Sequence, residues 1–555
     1  MIKDQVQDDL REKLGVSNIE VQESQFADFT ITPAEIARIN KEHQLELNSD
    51  KILAILQEKF NKDLYDTAGT ESRNGFVNIS LSQEIVNSEV KKMSDDISAY
   101  LSLPNPGAKI IIDYSGPNIA KPFSVGHLRS TVIGQANYNI HKILGYDVVG
   151  INHIGDWGTQ FGKLIYAVKA WGNEEEIAKD PINELVALYQ RFHQEAEENP
   201  DLNSQAADWF RKLELHDQEA QELWRRCIAW SFKEFDRLYK VLEVKIDDTK
   251  GESFYADKTD DVIEELKKKG LLVESQGAQI VELADMPPAI IQKTNESTLY
   301  MARDLAAVKY RIETYHPDKI IYHVGNDQLL HFRQLFAVVE KLGWAHSNVL
   351  EFAGHGMMRL PEGKMSTRKG RVVLLDDLLT EAKGRVEALV SEKEKSEIKG
   401  REMELAVSAV KYADLSSNRS SDVVFSFDRL IDLKGNSALY LEYTYARIES
   451  LIREYDSKYP DTPAGEEFAE EAKDLVRNGI LFKRILSRAA DNSTPNTLCD
   501  FVYNFANKFN SFYEKNRIIT DDKKKTQQNM VVVIFARTII ATSLDLLGLT
   551  KFEKI

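Results

Sequence analysis

The sequence predicts a multidomain protein organised around a parallel α/β domain. Three observations predict it. From Lys109 onward, short apolar runs alternate with helical patterns, and the runs end in polar, glycine-bearing corners. Beyond Asp376 the pattern is mostly helical, and its last part recurs at helical spacing like a bundle. The 555 residues leave room for roughly three domains of about 100–200 residues each.

Residues 1–105 read as a separate α+β accessory domain. Amphipathic segments Ile2–Leu14 and Ile52–Lys62 accompany an alternating strand, Gly75–Leu81, and helix Gln83–Leu101 runs into the turn-rich linker SLPNPGAK. Nothing in this domain looks catalytic. Residues 106–390 form the α/β domain. It opens on the buried strand around Ile110–Ile112 and continues through helix 127–144 and strand Tyr146–Asn152 to a second glycine-rich corner, HIGDWGTQFG. From about Gly172 to Lys250 the chain is long, acidic and helical (Asn183–Glu198, Asp217–Val241), which suits an insertion, about 172–290, between two halves of a nucleotide-binding fold, and LLVESQGAQIVEL (271–283) reads as a hairpin. Strand Lys319–Val324 ends at GNDQ, and strand Val349–Phe352 leads through GHGMM to GKMSTRKGRVVLL. Connecting helices occupy 391–430. Residues 431–555 supply the bundle, with helices expected over Ala438–Glu454, Lys473–Ala490, Thr497–Asn516 and Gln528–Leu547.

Composition narrows the class further. A hydrophobic share of 43% with 29% charged residues is that of an ordinary soluble globular protein. Cys227 and Cys499 are too few for a disulfide framework or a thiolate metal site, which fits a reducing cytoplasm. His316, His323, His331 and His346 have no metal-ligand spacing, so no metal site is expected. The opening MIKDQVQDDLREKLG is charged and amphipathic, unlike a signal peptide. Met530–Leu549 is interrupted by Arg537 and Asp545 and reads as a buried helix pair, so no membrane association is expected. The net charge of −17 argues against a polyanionic partner, but its distribution is uneven. From Leu430 onward 18 basic residues face 18 acidic ones, leaving a neutral C-terminal domain on an acidic body.

The stretch Asp113–Gly134, DYSGPNIAKPFSVGHLRSTVIG, is the centre of the α/β domain. It passes from a strand end through a Gly-Pro-Asn turn and an extended Lys-Pro segment into a helix near Gly126 or His127. Strand, small-residue loop and helix N-terminus together are how α/β folds build anion sites. Gly126 lets a phosphate approach the backbone, and His127 with the first free N–H groups faces its charge.

SVGH at 124–127 and KMSTR at 364–368 stand far apart in the chain. The pair resembles the HIGH and KMSKS signatures of class I aminoacyl-tRNA synthetases, which flank a divided Rossmann-type domain. The surrounding GPNIAKPFSVGHLRSTVIG, NHIGDWGTQFG, GESFY, LYMARDLAA and GHGMM are similar to the arginyl-tRNA synthetase family within that class. GFVNISLS resembles the close of that family's N-terminal tRNA-contacting domain. ALYLEYTYARI and FVYNFANKFNSFYEKNRI resemble its helical anticodon-binding domain, so the resemblance covers nearly the whole chain.

The resemblance implies ATP-dependent ligation of L-arginine to tRNA(Arg) through an arginyl-adenylate, with transfer to the 2′-hydroxyl of the terminal adenosine. It implies a cytoplasmic monomer that takes ATP as a substrate, with Mg2+ carried by the phosphates and no dedicated protein metal site. ATP binding falls to Lys121, Ser124, Gly126, His127, His355, Met358, Lys364 and Ser366, with His331 also expected to line the ATP side. Catalysis falls to His127, Lys364, Ser366 and Arg368. Glu252 and Asp304 fall at the guanidinium with the Tyr300 hydroxyl, Asn118 and Gln328 at the amino and carboxylate end, and Asp113 nearby. A planar fork of N–H donors needs such carboxylates, and a lysine ammonium cannot reproduce its bidentate geometry. Two positions depart from the family pattern. Ser124 stands where the first histidine would be, and Thr367 where the second lysine would be, with Arg368 and Lys369 expected to substitute.

Overall fold

Ile110, Ile111 and Ile112 lie in β1 (Lys109–Asp113), the central strand of a five-stranded parallel sheet. This computed structural model describes the chain apart from residues 1, 24–26, 59–60, 67–68, 104–106, 294–299, 360–373, 390–398, 431, 433–434 and 555. The other strands are β2 (Asp147–Asn152), β3 (Asp248–Thr249), β4 (Lys319–Tyr322) and β5 (Leu350–Phe352), in the order β5-β4-β1-β2-β3. Ile111 lies opposite Ile320 of β4 on one side and Val149 of β2 on the other. Successive strand residues face opposite ways, so the isoleucine run divides between two cores. Ile110, Ile112 and Ile321 pack with Tyr114 and with Tyr138 of α1 (Val125–Ile143). Ile111 and Ile320 pack with Leu305 of α2 (Tyr300–Tyr315) and Leu335 of α3 (Leu329–Leu342). Both faces are covered, as a parallel sheet requires.

The chain runs outward from β1 to β3 and then returns on the other side of β1 with β4 and β5. The order reverses between β1 and β4, and open α/β sheets hold ligands outside the carboxyl ends of the strands at such a point. Directly after β1 the backbone turns through two positive-φ residues, Ser115 (77°) and Gly116 (57°). For serine this is sparsely populated backbone that the surroundings must enforce. The Ser115 N–H donates to Ser130 Oγ (3.0 Å), Thr131 donates to Ser115 Oγ (2.9 Å), and the Gly116 N–H donates to Asn152 Oδ1 (3.0 Å). A Cβ on Gly134 would overlap Tyr114, so glycine there lets α1 lie close against the end of β1.

After β2 the expected helical stretch occurs as Glu174–Lys179, Pro181–Glu198, Asp201–Glu214 and Gln218–Val241. The last of these ends at Val241, short of the expected Lys250. Asp248–Thr249 rejoins the sheet as β3 beside Ile151 and Asn152, and the short helix Glu252–Ala256 follows. An antiparallel meander of Leu272–Ser275, Ala278–Val281 and Ala289–Lys293 then leads towards α2.

These elements belong to the larger of two compact units, residues 101–447, 484–503 and 540–555. The smaller unit comprises residues 1–100, 448–483 and 504–539. Its N-terminal part is a four-stranded antiparallel sheet (Gln22–Glu23, Phe29–Ile31, Phe76–Ile79, Glu71–Arg73) with helices Ile2–Leu14, Pro33–His43 and Ser49–Glu58. The expected helix Gln83–Leu101 breaks at Asp96, whose backbone is extended (φ −151°). Within this unit Arg477 pairs with Asp28 and donates to the Leu81 carbonyl at 2.9 Å.

The C-terminal part is helical as expected, with Ala438–Lys458, Lys473–Gly479, Phe482–Asp491, Asn496–Lys515 and Lys523–Leu547. Two expectations change: the single helix expected over Lys473–Ala490 is two, Lys473–Gly479 and Phe482–Asp491, and the reading of the last apolar stretch differs as well. Met530–Leu549 is not a helix pair, because a single helix continues through Arg537, whose Nε donates to Glu449 at 2.6 Å. A charge that finds a partner need not end a helix. This helix is long and apolar enough to cross a membrane by length and composition, but 67% of its apolar stretch is buried inside the protein, as in a core helix.

Candidate active site

A cavity of about 790 Å³ opens at the carboxyl edge of the sheet, at the switch point between β1 and β4. The first turn of α1 builds one end of it. Ser124 is the N-cap and His127 the third helical residue, and the two cap each other. The Ser124 N–H donates to His127 Nδ1 at 3.1 Å, and Ser124 Oγ lies 3.1 Å from the same nitrogen. A ring nitrogen that accepts carries no proton, so the neutral imidazole keeps its proton on Nε2. Burial, followed by the charge of Lys121, brings the His127 pKa down to about 4. The ring is neutral near pH 7 and offers an N–H donor. Gly126 and His127 both line the cavity, and the His127 N–H is taken by the Ser124 carbonyl at 3.0 Å.

His355, just beyond β5, holds the opposite tautomer. Its Nδ1 meets the Gly356 carbonyl at 3.1 Å, so Nδ1 carries the proton and Nε2 accepts. Burial lowers this ring to about 4 against the opposing effect of that hydrogen bond.

The other end of the cavity is acidic. Glu252 follows β3, and Asp304 lies in the second turn of α2. Arg303 Nη2 stands 3.2 Å from Glu252 Oε2, with its guanidinium 4.8 Å above the Tyr300 ring. Asp304 Oδ2 meets His331 Nε2 at 2.6 Å, and His153 Nε2 lies 3.9 Å from Oδ1. Burial pushes the Glu252 carboxyl up to about 7; Arg303 opposes this, and the Asp304 and Asp156 carboxylates add to it. A buried carboxyl poised at neutrality beside a second acid gains stabilisation when a cation enters.

Between the two ends, Asp113 of β1 pairs with Arg311 of α2 at 2.7 Å, both side chains buried. The charge of Asp113 is thereby committed to an internal partner. Asn118 bridges Gly155 in the HIGDWG corner, and a Cβ on Gly155 would overlap its amide. Gln328 ends the short turn Asn326–Gln328 and is exposed at the rim.

Asp113, Asn118, Gly126, His127, Glu252, Tyr300, Asp304, Gln328, His355 and Met358 line this one cavity. Lys121 and Ser124 are not among its lining residues. Lys121 is exposed, and the Ser124 hydroxyl is turned to His127. Lys364, Ser366 and Arg368 lie outside the described residues. Both flanks of their segment are described: Met358–Arg359 pairs with Val423–Val424, while Leu374 bridges Ser124 and the Leu375 N–H donates to the Phe123 carbonyl at 3.0 Å. His331 also lines the cavity, with its Nε2 on Asp304. Arg303, Arg311 and His153 were not anticipated, since pairs closed across long stretches of chain leave no local pattern. Only the adjacency of Arg303 to Asp304 offered a signal. Among the described residues, no three His, Cys, Asp or Glu side chains are grouped as a metal site is.

Residues 98–427 match the family described as tRNA synthetases class I (R), catalytic domain, and residues 441–555 match the DALR anticodon binding domain. The chain is 41% identical over 510 residues to the arginine–tRNA ligase of Exiguobacterium sibiricum, a match covering 90% of this chain and 89% of that one. It is 41% identical over 487 residues to the arginine–tRNA ligase of Clostridioides difficile, covering 86% of each. The crystal structure of arginyl-tRNA synthetase from Plasmodium falciparum is similar over 100% of this chain and 99% of that one, with a TM-score of 0.83 at 25% identity. The Thermus thermophilus arginyl-tRNA synthetase shares the fold over 100% of both chains, with a TM-score of 0.82 at 18% identity. The catalytic match takes in both the α1 cap and the buried acids, the anticodon-domain match takes in the C-terminal helices, and the relatives are covered nearly end to end. The chain belongs to the class I arginyl-tRNA synthetases.

Proposed function

We propose that this arginine–tRNA ligase activates arginine in the cavity between β1 and β4 and then passes it to tRNA(Arg). The observation that carries the reading is that two acids, Glu252 and Asp304, line the same cavity as a helix N-terminus with the N–H-donating His127. The guanidinium of arginine enters at Glu252 and Asp304 beside Tyr300, where its planar fork adds hydrogen bonds to acids already held by Arg303 and His331, a geometry that a lysine ammonium cannot reproduce. Asn118 and Gln328 hold the amino and carboxylate end, above the Asp113–Arg311 pair.

ATP lies along the start of α1, its phosphates at Gly126 and His127 and its nucleoside towards His355 and Met358. Ser124 serves the phosphates indirectly, by fixing the tautomer of His127; Lys121 adds positive charge nearby. The arginine carboxylate attacks the α-phosphorus, the bond to the β-phosphate breaks, and pyrophosphate leaves. Catalysis of this step is mainly positioning and charge stabilisation. His127 meets the developing charge together with Lys364, Ser366 and Arg368 of the KMSTR segment. Magnesium arrives with ATP, held by phosphates and water. The 2′-hydroxyl of the terminal adenosine then attacks the carbonyl carbon of the adenylate, and AMP leaves. On the same reading the enzyme works as a cytoplasmic monomer whose C-terminal helices bind the anticodon region.

Pyrophosphate exchange with each amino acid, with and without tRNA(Arg), tests this. Exchange driven by arginine alone is expected. Exchange driven by another amino acid overturns the specificity, and no exchange with arginine in a folded, tRNA-binding sample points to a non-catalytic tRNA-binding paralogue. An Asp304→Asn enzyme with unchanged arginine affinity removes the guanidinium subsite from the reading.

A further inference from the structure

Glu252 reaches the cavity from a five-residue helix, Glu252–Ala256, that is too short to fix its own position. The HIGDWG corner after β2 does the fixing. The Asp156 carboxylate, in a residue only 4% exposed, accepts two hydrogen bonds from Ser253: the backbone N–H at Oδ1 (2.8 Å) and the hydroxyl at Oδ2 (2.6 Å). The Glu252 N–H donates to the carbonyl of Ile154 at 3.1 Å, two residues before Asp156. Gly251 completes the fit. Its φ of −81° is open to any residue, so glycine is present for its missing side chain, and a Cβ there would overlap the Asp156 carboxylate. On the far side, Trp224 Nε1–H donates to the Asp156 carbonyl at 2.9 Å and holds the corner against helix Gln218–Val241. Asp156 does not line the main cavity; it borders a separate depression with Trp224, Phe232 and Phe254.

We propose that Asp156 is a positioning residue for arginine recognition, its carboxylate clamping the backbone of Gly251–Ser253 so that Glu252 is aimed at the guanidinium subsite. The proposal rests on Glu252 being a guanidinium ligand. A carboxylate suits the task because charge-assisted bonds are short and about twice as strong as neutral ones. The pair of bonds also restrains both the main chain and the side chain of Ser253, so the turn can neither slide nor rotate. Its negative charge adds to the potential at Glu252, which favours a cation in the subsite.

The test is steady-state pyrophosphate exchange on the full-length enzyme in the presence of tRNA, with arginine and ATP varied separately. Asp156→Ala is expected to raise the arginine KM by about tenfold or more, since small displacements of a binding group are costly, while kcat and the ATP KM stay within about threefold. Asp156→Asn keeps an acceptor for the Ser253 N–H and a donor for its hydroxyl, so it should rescue the arginine KM to within about threefold of wild type. Gly251→Ala drives the carboxylate out and should mimic Asp156→Ala, and the double variant should be no worse than either alone, because both break one clamp. An Asp156→Ala enzyme that loses kcat and both KM values alike, or that keeps its arginine KM, overturns the proposal. Should Asp156→Ala fail to fold, Gly251→Ala and Ser253→Ala are read by the same criteria. Glu252→Gln separates the two levels. An unchanged arginine KM there refutes the subsite itself, whereas a raised KM there beside an unaffected Asp156→Ala refutes only the clamp.

Discussion

Arg129 and Asp414 form an ion pair at 2.7 Å in which neither side chain is exposed. Arg129 lies in α1 two residues after His127, and Asp414 lies in helix Glu402–Leu415. The same guanidinium donates through Nη1 to the carbonyls of Gly356 and Ser421, both at 2.8 Å. One side chain therefore ties α1 to the segment that carries His355 and Met358. Burial lifts the Asp414 carboxyl to about 6 against the pull of Arg129, so the pair remains ionised near neutrality.

Breaking that pair should be costly, because the remaining charge has no route to water. Asp414→Ala is expected to destabilise the protein by about 3–5 kcal/mol, and Asp414→Asn by less. Urea unfolding followed by circular dichroism measures it. A loss below about 1 kcal/mol, the range of an exposed pair, contradicts the assignment.

Arginine affinity should depend on pH through Glu252. With its carboxyl near 7, Glu252 is mostly protonated at pH 6 and mostly ionised at pH 8. Only the ionised form pairs with a guanidinium, so arginine binding releases a proton near neutrality. The arginine KM is expected to rise about tenfold from pH 8 to pH 6, and Glu252→Gln to bind weakly with a flat profile. A flat wild-type profile in pyrophosphate exchange would count against Glu252 as a ligand.

His127 should act as a neutral donor. His127→Ala is expected to lower kcat by about 10²–10³-fold, the cost of one donor aimed at developing charge, with little change in arginine KM. With its pKa at about 4, the ring contributes no acid limb between pH 6 and 9. Ser124→Ala leaves the backbone bond to Nδ1 in place, so it should cost about 0.5–2 kcal/mol of stability as a lost cap and change kcat only slightly. A Ser124→Ala enzyme as slow as His127→Ala would place the Ser124 hydroxyl on the phosphates instead.

Glu442 gives stability a pH dependence of its own. Its side chain is fully buried in helix Ala438–Lys458, and burial raises its carboxyl from 4.5 to about 8, with Ser408 and Arg401 opposing and Glu404 adding. A folded-state pKa above the unfolded one stabilises fully below the unfolded value and loses that contribution as pH rises through about 8. Wild-type melting temperature should therefore fall on going from pH 5 to pH 9. Glu442→Gln should remove this part of the fall and melt higher at pH 9. Parallel melting curves for the two proteins across that range would refute the assignment.

The parts of the site that could be read in advance are those whose cause is local. SVGH announces a helix start because capping acts within one turn, and the isoleucine run announces a buried strand because its neighbours in sequence share its fate. β3 escaped notice because two residues carry no periodicity. Met530–Leu549 reads as interrupted because Arg537 is a charge in an apolar run, and its partner Glu449 lies far away in sequence.

From the order of residues alone come the family, the α/β core with its helical C-terminal part, and a minority of the residues that line the cavity. Only the tertiary structure decided how those residues are held. Asp113 answers to Arg311, Arg129 to Asp414, Asp304 to His331, and the Glu252 turn to Asp156. The reason is physical. Caps, turns and periodicity act between near neighbours and leave their mark in the order of residues. A buried charge must find its partner in space, and which distant residue stands there is settled when the strands and helices pack.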